Sequence, residues 1–113
     1  MPEKSPYFIN KERAFRDIKR GQIITLQHKE VFEPVLSVIQ STKKTTIFFK
    51  VPDDFLKNNV IIGDEIQCQV FIENYEYVLK GIIKNIKFEK IPLMEFMVEN
   101  ADKYINQRKS KRY

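Results

Sequence analysis

Apolar and polar residues alternate along most of the middle of the chain. In the segment "DEIQCQVFI" the apolar positions recur at every second residue: Ile66, Cys68, Val70 and Ile72. A period of two is that of a strand with one buried face. Stretches rich in β-branched and aromatic residues occur at "QIITLQH", "FEPVLSVIQS", "TTIFFKV", "YEYVLKGIIKNI" and "IPLMEFMVE". The pattern therefore predicts six strands and no long helix.

The connections between these segments are short. "STKK" and "EN" predict hairpin turns, and strands joined by hairpins are antiparallel. "PDDFLKNN" predicts one helical turn with Asp53 near its start. Gly81 lies inside a predicted strand and indicates a bulge or a tight barrel corner. Six short antiparallel strands most often close on themselves, so the predicted fold is an all-β, six-stranded antiparallel split β-barrel.

Both ends of the chain differ from this body. Residues 1–17 form a predicted N-terminal arm, in which Ala14 and Phe15, together with Ile18 just beyond it, have the spacing of a short amphipathic helix. The arm is expected to be a solvated entry to the domain. Residues 18–99 form the predicted barrel, and from Asn100 onward the apolar pattern fades into a basic linker, residues 100–113.

The net charge of +5 is confined to one end of the chain. Residues 1–102 carry equal numbers of acidic and basic side chains. The excess comes from Lys103, Arg108, Lys109, Lys111 and Arg112. A nucleic-acid binder usually spreads its charge over one face of the fold, so this distribution favours a local anion site and no nucleic-acid partner.

Few residues suggest catalysis or metal binding. His28 is the only histidine and is expected at the surface, while Cys68 is expected in the core. A metal site needs three or four ligands. The pairs Asp53–Asp54 and Asp64–Glu65 are adjacent residues, whose side chains point to opposite faces of a strand. The sequence therefore indicates a binding or scaffolding module and not an enzyme.

Composition also bears on location and on the aromatic residues. No apolar run reaches the roughly 18 residues of a membrane helix, and "MPEKSPYFIN" has no signal core. With its single cysteine, the chain is predicted to be cytoplasmic, without a membrane partner.

Five aromatic residues could form a stacking platform for bases, but core packing is the favoured interpretation: Phe48, Phe49, Phe71, Tyr75 and Tyr77.

The C-terminal arginines are the strongest candidates for ligand binding. Guanidinium groups pair with phosphate oxygens or a guanine edge, often through two hydrogen bonds. Arg108 and Arg112 are four residues apart and share a face in a helix or, at roughly 13 Å, in a strand. On spacing alone, a disordered solubilising tail remains the alternative.

The stretch "IPLMEFMVENADKYINQRKSKRY" resembles the domain junction of the YcgR-like flagellar brake proteins, which are cyclic-di-GMP receptors of the PilZ type. In that family a last strand leads through a linker into a Gln-Arg-Arg-x-x-x-Arg segment, and "QRKSKR" occupies its place here. "IKRGQIITLQ" is similar to the family's opening strand. The resemblance covers about residues 18–113.

The resemblance implies that the barrel is the family's N-terminal domain and that residues 107–113 begin a PilZ domain. Cyclic-di-GMP binds in the family at the junction, where Arg108 and Arg112 match two gripping arginines. A third family arginine falls on Gln107, and Lys109 offers compensating charge. The implied partners are a C-terminal PilZ domain and flagellar motor proteins.

The family's second motif, Asp/Asn-x-Ser-x-x-Gly, does not occur in this sequence. We therefore expect at most half of a cyclic-di-GMP site, no other cofactor, and ligand binding only when a PilZ domain is present. Two alternatives stay open. A flavin-binding split barrel would give a yellow protein, and a basic-tailed nucleic-acid binder would show steeply salt-dependent DNA binding.

Overall fold

A computed structural model describes residues 7–8, 11–58 and 60–105 of the chain. Seven strands and two short helices follow one another: β1 (Tyr7–Phe8), α1 (Lys11–Ala14), β2 (Ile23–Gln27), β3 (Val35–Lys43), β4 (Thr46–Lys50), α2 (Asp53–Lys57), β5 (Glu65–Ile72), β6 (Tyr75–Lys87) and β7 (Leu93–Ile105). Within these ranges, neither helix is long and apolar enough to cross a membrane.

Six of the strands close into an antiparallel barrel. The strand order is β7-β4-β3-β2-β5-β6, and β6 pairs back onto β7 to complete the ring. The short β1 lies outside the ring, beside the C-terminal part of β7, where Tyr7 is opposite Lys103. The predicted all-β, six-stranded antiparallel barrel is confirmed.

The hairpin turn predicted at "EN" is confirmed, whereas the turn predicted at "STKK" lies at Lys44 and Thr45, because β3 continues to Lys43. Lys44 and Glu73 each begin a two-residue hairpin turn, and each has a backbone φ of 56°. A positive φ at the first turn residue belongs to the primed turns, whose twist matches that of the flanking strands. The predicted helical turn is α2, which places the buried ring of Phe55 against the core.

Alternation within the strands builds the core. Ile66, Cys68 and Val70 of β5 are buried, as the period of two predicts. The thiol of Cys68 is fully enclosed, and this burial raises the pKa of the Cys68 thiol. The other large, fully buried side chains come from the arm, α2 and the remaining barrel strands: Ile18, Ile24, Leu26, Ile39, Ile47, Phe49, Phe55, Tyr77, Leu79, Ile83, Met94 and Phe96.

The closure of the barrel depends on a bulge opposite Gly81. Lys80 is paired with Asn100, but Gly81 is paired with Val98, so β7 carries one extra residue, Glu99. A Cβ atom on Gly81 would lie 2.0 Å from the carbonyl oxygen of Met97. Glycine is therefore needed because the backbone of β7 occupies the space of a side chain. The bulge expected from the sequence is confirmed.

The last strand continues beyond Glu99, where the apolar pattern predicted a linker. β7 runs to Ile105, which is paired with Tyr75 of β6. The extra residue in the bulge resets the alternation, so Val98 and Ala101, three residues apart, are both buried. Residues 100–105 therefore belong to the sheet, and the rest of the predicted linker lies outside the described residues.

The N-terminal arm is not the solvated entry that the sequence suggested. Ala14 and Ile18 are each only 1% exposed and belong to the core. α1 packs against β7, and the chain continues through a turn in which the amide of Asp17 donates to the carbonyl of Ala14 at 3.1 Å. Residues 11–20, which span the end of the arm and the start of the predicted barrel, carry five basic and two acidic side chains, and their apolar residues Ala14 and Ile18 are part of the core.

We expect Gly81→Ala to lower the free energy of unfolding by roughly 3 kcal/mol, because the new methyl group meets backbone that cannot move aside. Gly63→Ala is the matched control. Gly63 has open space around it but a φ of +98°, so backbone strain alone should cost about 1 kcal/mol. Urea denaturation of both variants measures the difference. Equal losses would contradict the close approach at Gly81.

Candidate functional site

The tail residues predicted to bind a ligand, Gln107, Arg108, Lys109 and Arg112, lie outside the described residues. The structure does describe the end of β7, the strand that precedes them. β7 stays paired with β6 up to Ile105, two residues before Gln107. The arginine site therefore stays a prediction. The described part of the chain ends with β7, just before this segment.

A basic pocket lies next to this end of β7. It has a volume of about 300 Å³ and is lined by six residues from the arm, β6 and β7: Arg13, Ala14, Arg16, Asp17, Tyr77 and Lys103. Three of these side chains are cationic and one is a carboxylate. The fold brings them together from positions up to ninety residues apart in sequence.

The two arginines are held on a turn with a buried anchor. The amide of Arg16 donates to the carbonyl of Arg13 at 3.1 Å, which continues the helical turn of α1. Ala14 and Ile18 bury the inner side of this turn, while both arginine side chains are exposed. Residues three apart on a helical turn are neighbours, so the two guanidinium groups border the same pocket.

Lys103 reaches the pocket because of the bulge in β7. After the bulge, Ala101 and Lys103 occupy the core-facing side of the strand, and Lys103 is paired with Tyr77. Its ammonium nitrogen lies 4.1 Å from the ring centroid of Tyr75 and 5.5 Å from that of Tyr77. Cation–π attraction of this kind fixes the position of the charge.

Tyr77 closes the bottom of the pocket. Its hydroxyl donates to Oδ2 of Asp17 at 2.6 Å, which joins the arm to β6. The side chain is almost fully buried; this burial and the Asp17 carboxylate raise the pKa of Tyr77 above its usual range. The raised pKa keeps Tyr77 protonated at neutral pH, so its hydroxyl remains a hydrogen-bond donor to Asp17.

Lysine and aromatic side chains are closer together than the sequence indicated. Besides the contacts of Lys103, the ammonium of Lys87 lies 5.6 Å from the ring centroid of Phe48. Phe49 and Tyr77 are buried, which confirms core packing for these two, whereas Phe71 is 54% exposed. The five aromatic residues thus divide between the core and the outer surface of the barrel.

His28 is buried and not a surface residue, so that prediction was wrong. Its Nδ1 accepts a hydrogen bond from the amide of Glu30 at 2.9 Å, and Nε2 lies 2.8 Å from Oδ2 of Asp64. Because Nδ1 is an acceptor, Nε2 carries the proton and donates to Asp64. The ring also packs against Phe55, with centroids 5.9 Å apart. Nδ1 thus bonds within the β2–β3 loop, Nε2 joins this loop to the α2–β5 loop, and the ring packs on α2.

Asp64 receives two hydrogen bonds at this joint. The amide of Ile61 donates to Oδ2 at 3.1 Å, in addition to the bond from His28. The Ile61 amide, helped by His28, holds the pKa of Asp64 below its ordinary value of 3.8. Together these bonds make Asp64 a structural acceptor. Among residues 11–58 and 60–105, no group of three or more histidine, cysteine, aspartate or glutamate side chains could hold a metal ion.

Most of the pocket has no signature in the sequence. The spacing of Ala14 and Ile18 did indicate that the arm has an apolar side, which places Arg13 and Arg16 on the other side. Nothing local, however, indicates that Lys103 and Tyr77 lie beside the arm. That juxtaposition depends on strand pairing and on the bulge, which are long-range features.

Neither the protein-family models nor the curated proteins contain a match to this chain.

We expect Asp64→Asn to lower stability at pH 7 by about 1 kcal/mol, because an amide oxygen accepts the same two bonds without the charge. The folded-state pKa of Asp64 lies below 3.8, so its contribution is complete above about pH 4 and is lost as the pH falls through the folded value. The variant should lack this part of the acid sensitivity. Thermal unfolding between pH 2 and 7 measures it; parallel pH profiles would contradict the assignment.

Proposed function

We propose that this chain is a non-catalytic regulatory module of a cyclic-di-GMP-responsive protein of the flagellar brake type. In this proposal the barrel is a scaffold, and Arg108 and Arg112 supply one half of a nucleotide site at a junction with a PilZ domain. The other half, with the Asp/Asn-x-Ser-x-x-Gly motif, belongs to that PilZ domain. Flagellar motor proteins are the proposed partners of the complete assembly.

The observation that carries the proposal is the continuity between the barrel and the arginine segment. β7 is a wall strand of a closed six-stranded barrel and remains hydrogen-bonded to β6 up to Ile105. Only Asn106 separates this strand from "QRKSKR". A segment that follows a rigid strand so closely is delivered to a restricted volume, which reduces the entropy lost when it binds.

The chemistry of the segment supports a phosphate-bearing ligand. Two guanidinium groups can each donate two parallel hydrogen bonds to a phosphate or to the O6 and N7 edge of guanine. Lys109 and Lys111 add charge without this planar geometry. Cyclic-di-GMP presents both phosphates and guanine edges, and it therefore matches the donors that the segment offers.

We expect the chain alone to bind cyclic-di-GMP more weakly than micromolar, because only one half of the proposed site is present. Isothermal titration calorimetry tests this, and a saturable heat with a micromolar midpoint would contradict it. The same preparation checks the alternatives. A yellow colour would favour a flavin protein, and steeply salt-dependent DNA binding would favour a nucleic-acid binder.

When the chain is fused to a PilZ domain that carries the serine–glycine motif, Arg108→Ala and Arg112→Ala should each weaken cyclic-di-GMP binding by about tenfold to a hundredfold. A charge-assisted hydrogen bond contributes on the order of 1.5–3 kcal/mol, and each 1.4 kcal/mol is one decade in affinity. Arg108→Lys should restore only part of the loss, since an ammonium lacks the planar fork.

Lys109→Ala is the matched control, because it removes a neighbouring charge without removing a fork. It should weaken binding far less than either arginine substitution. If Arg108→Ala, Arg112→Ala and Lys109→Ala weaken binding equally, the segment acts as a basic patch, and the proposed site loses its support.

A further inference from the structure

We propose that the pocket between the arm and strands β6 and β7 binds a small phosphate monoester that carries a neighbouring hydroxyl group. Arg13, Arg16 and Lys103 would hold the phosphate, and Asp17 would accept a hydrogen bond from the hydroxyl. This site is separate from the proposed function, since none of its residues belongs to the C-terminal arginine segment.

The charges around the pocket are the first argument. Three cations and one carboxylate border it, which leaves an excess of two positive charges. Among the described residues, neither arginine has a carboxylate partner within ion-pair distance. The donors of both guanidinium groups are thus available, and such groups bind phosphate oxygens in a bidentate manner.

Fixed geometry is the second argument. Lys103 is held over the rings of Tyr75 and Tyr77, so its ammonium does not have to be ordered by a ligand. The arginines project from a turn whose inner residue, Ala14, is buried. Binding groups that are already in place lose less entropy on binding, which applies here to the Lys103 ammonium and to the backbone from which the two arginines project.

Asp17 gives the pocket its selectivity. One of its oxygens accepts the hydrogen bond from Tyr77, which fixes the carboxylate at the wall of the pocket. A carboxylate offers about four acceptor positions, so it can also accept from a ligand hydroxyl. Its charge disfavours a ligand that is anionic throughout. The preferred ligand therefore has a phosphate at one end and a hydrogen-bond donor at the other.

The size of the pocket agrees with such a ligand. Its volume of about 300 Å³ lies at the lower end of the range for small-molecule sites, which is about 300–1,000 Å³. The base of the pocket is formed by the buried Ala14 and Tyr77, which limit the access of water to one side of a bound phosphate. Shielding from water strengthens the attraction between the cations and the phosphate.

Two matched compounds test the proposal on the full chain: glycerol 3-phosphate, which has hydroxyl groups beside its phosphate, and methyl phosphate, which has none. Amide NMR spectra recorded during titration should show saturable shifts at Ala14, Arg16, Tyr77 and Lys103, with tighter binding of glycerol 3-phosphate. Absence of saturable shifts with either compound, or saturable shifts elsewhere only, would overturn the proposal.

The double variant Arg13→Ala with Arg16→Ala should weaken binding of both compounds by at least about tenfold, through loss of charge-assisted hydrogen bonds. Lys19→Ala with Arg20→Ala is the control, because it removes the same charge from the same segment outside the pocket lining. Equal weakening by the two double variants would show a general basic surface and would overturn the pocket as the site.

Asp17→Asn tests the selectivity. An amide oxygen can still accept from Tyr77, so the pocket should keep its shape while losing the negative charge. Methyl phosphate should then bind more tightly, and the preference for glycerol 3-phosphate should shrink. An unchanged preference would remove Asp17 from the site.

The double variant Arg108→Ala with Arg112→Ala should leave the titrations unaltered, which keeps this result independent of the proposed cyclic-di-GMP site. If it abolishes binding, the tail and not the pocket is responsible.

Discussion

The approach of the β7 backbone to Gly81 is the contact on which the rest of the structure depends. β6 must pair with β5 on one side and with β7 on the other to close the barrel. At Gly81 the carbonyl of Met97 occupies the position that a Cβ atom would take. The bulge that permits this approach also bends the strands, as barrel closure requires, because an extra residue increases the local twist.

The same bulge determines which side chains reach the basic pocket. In a regular strand the inward positions 94, 96 and 98 would be followed by 100 and 102, which would direct Asp102 inward and Lys103 outward. The extra Glu99 reverses this, so Ala101 and Lys103 follow on the core side. One backbone irregularity therefore closes the barrel, buries Ala101, and replaces a carboxylate with an ammonium at the pocket.

The sequence predicted those parts of the fold that depend on local periodicity. The six barrel strands, two hairpin turns, α2 and the bulge at Gly81 each have a signature within a few residues. His28 has none, because its burial results from Asp64 in the α2–β5 loop and from Phe55 in α2, both distant in sequence. The continuation of β7 was missed for a related reason: the alternation restarts after the bulge, and a shifted period of two looks like the end of a strand.

The distribution of charge also changes when the chain folds. By sequence, the excess of five positive charges belongs to residues 103–113, and the arm is only a basic segment near the other end. Folding places Arg13 and Arg16 beside Lys103. Arg108 is five positions after Lys103, so at most roughly 17 Å of extended chain joins them. That limit is about two Debye lengths at physiological ionic strength, and exposed charges that far apart are largely screened from each other. The field that an anion meets at the pocket is therefore set mainly by Arg13, Arg16 and Lys103, a local basic cluster that forms only when the chain folds. Phosphate-bearing ligands are the class that such a cluster is suited to attract.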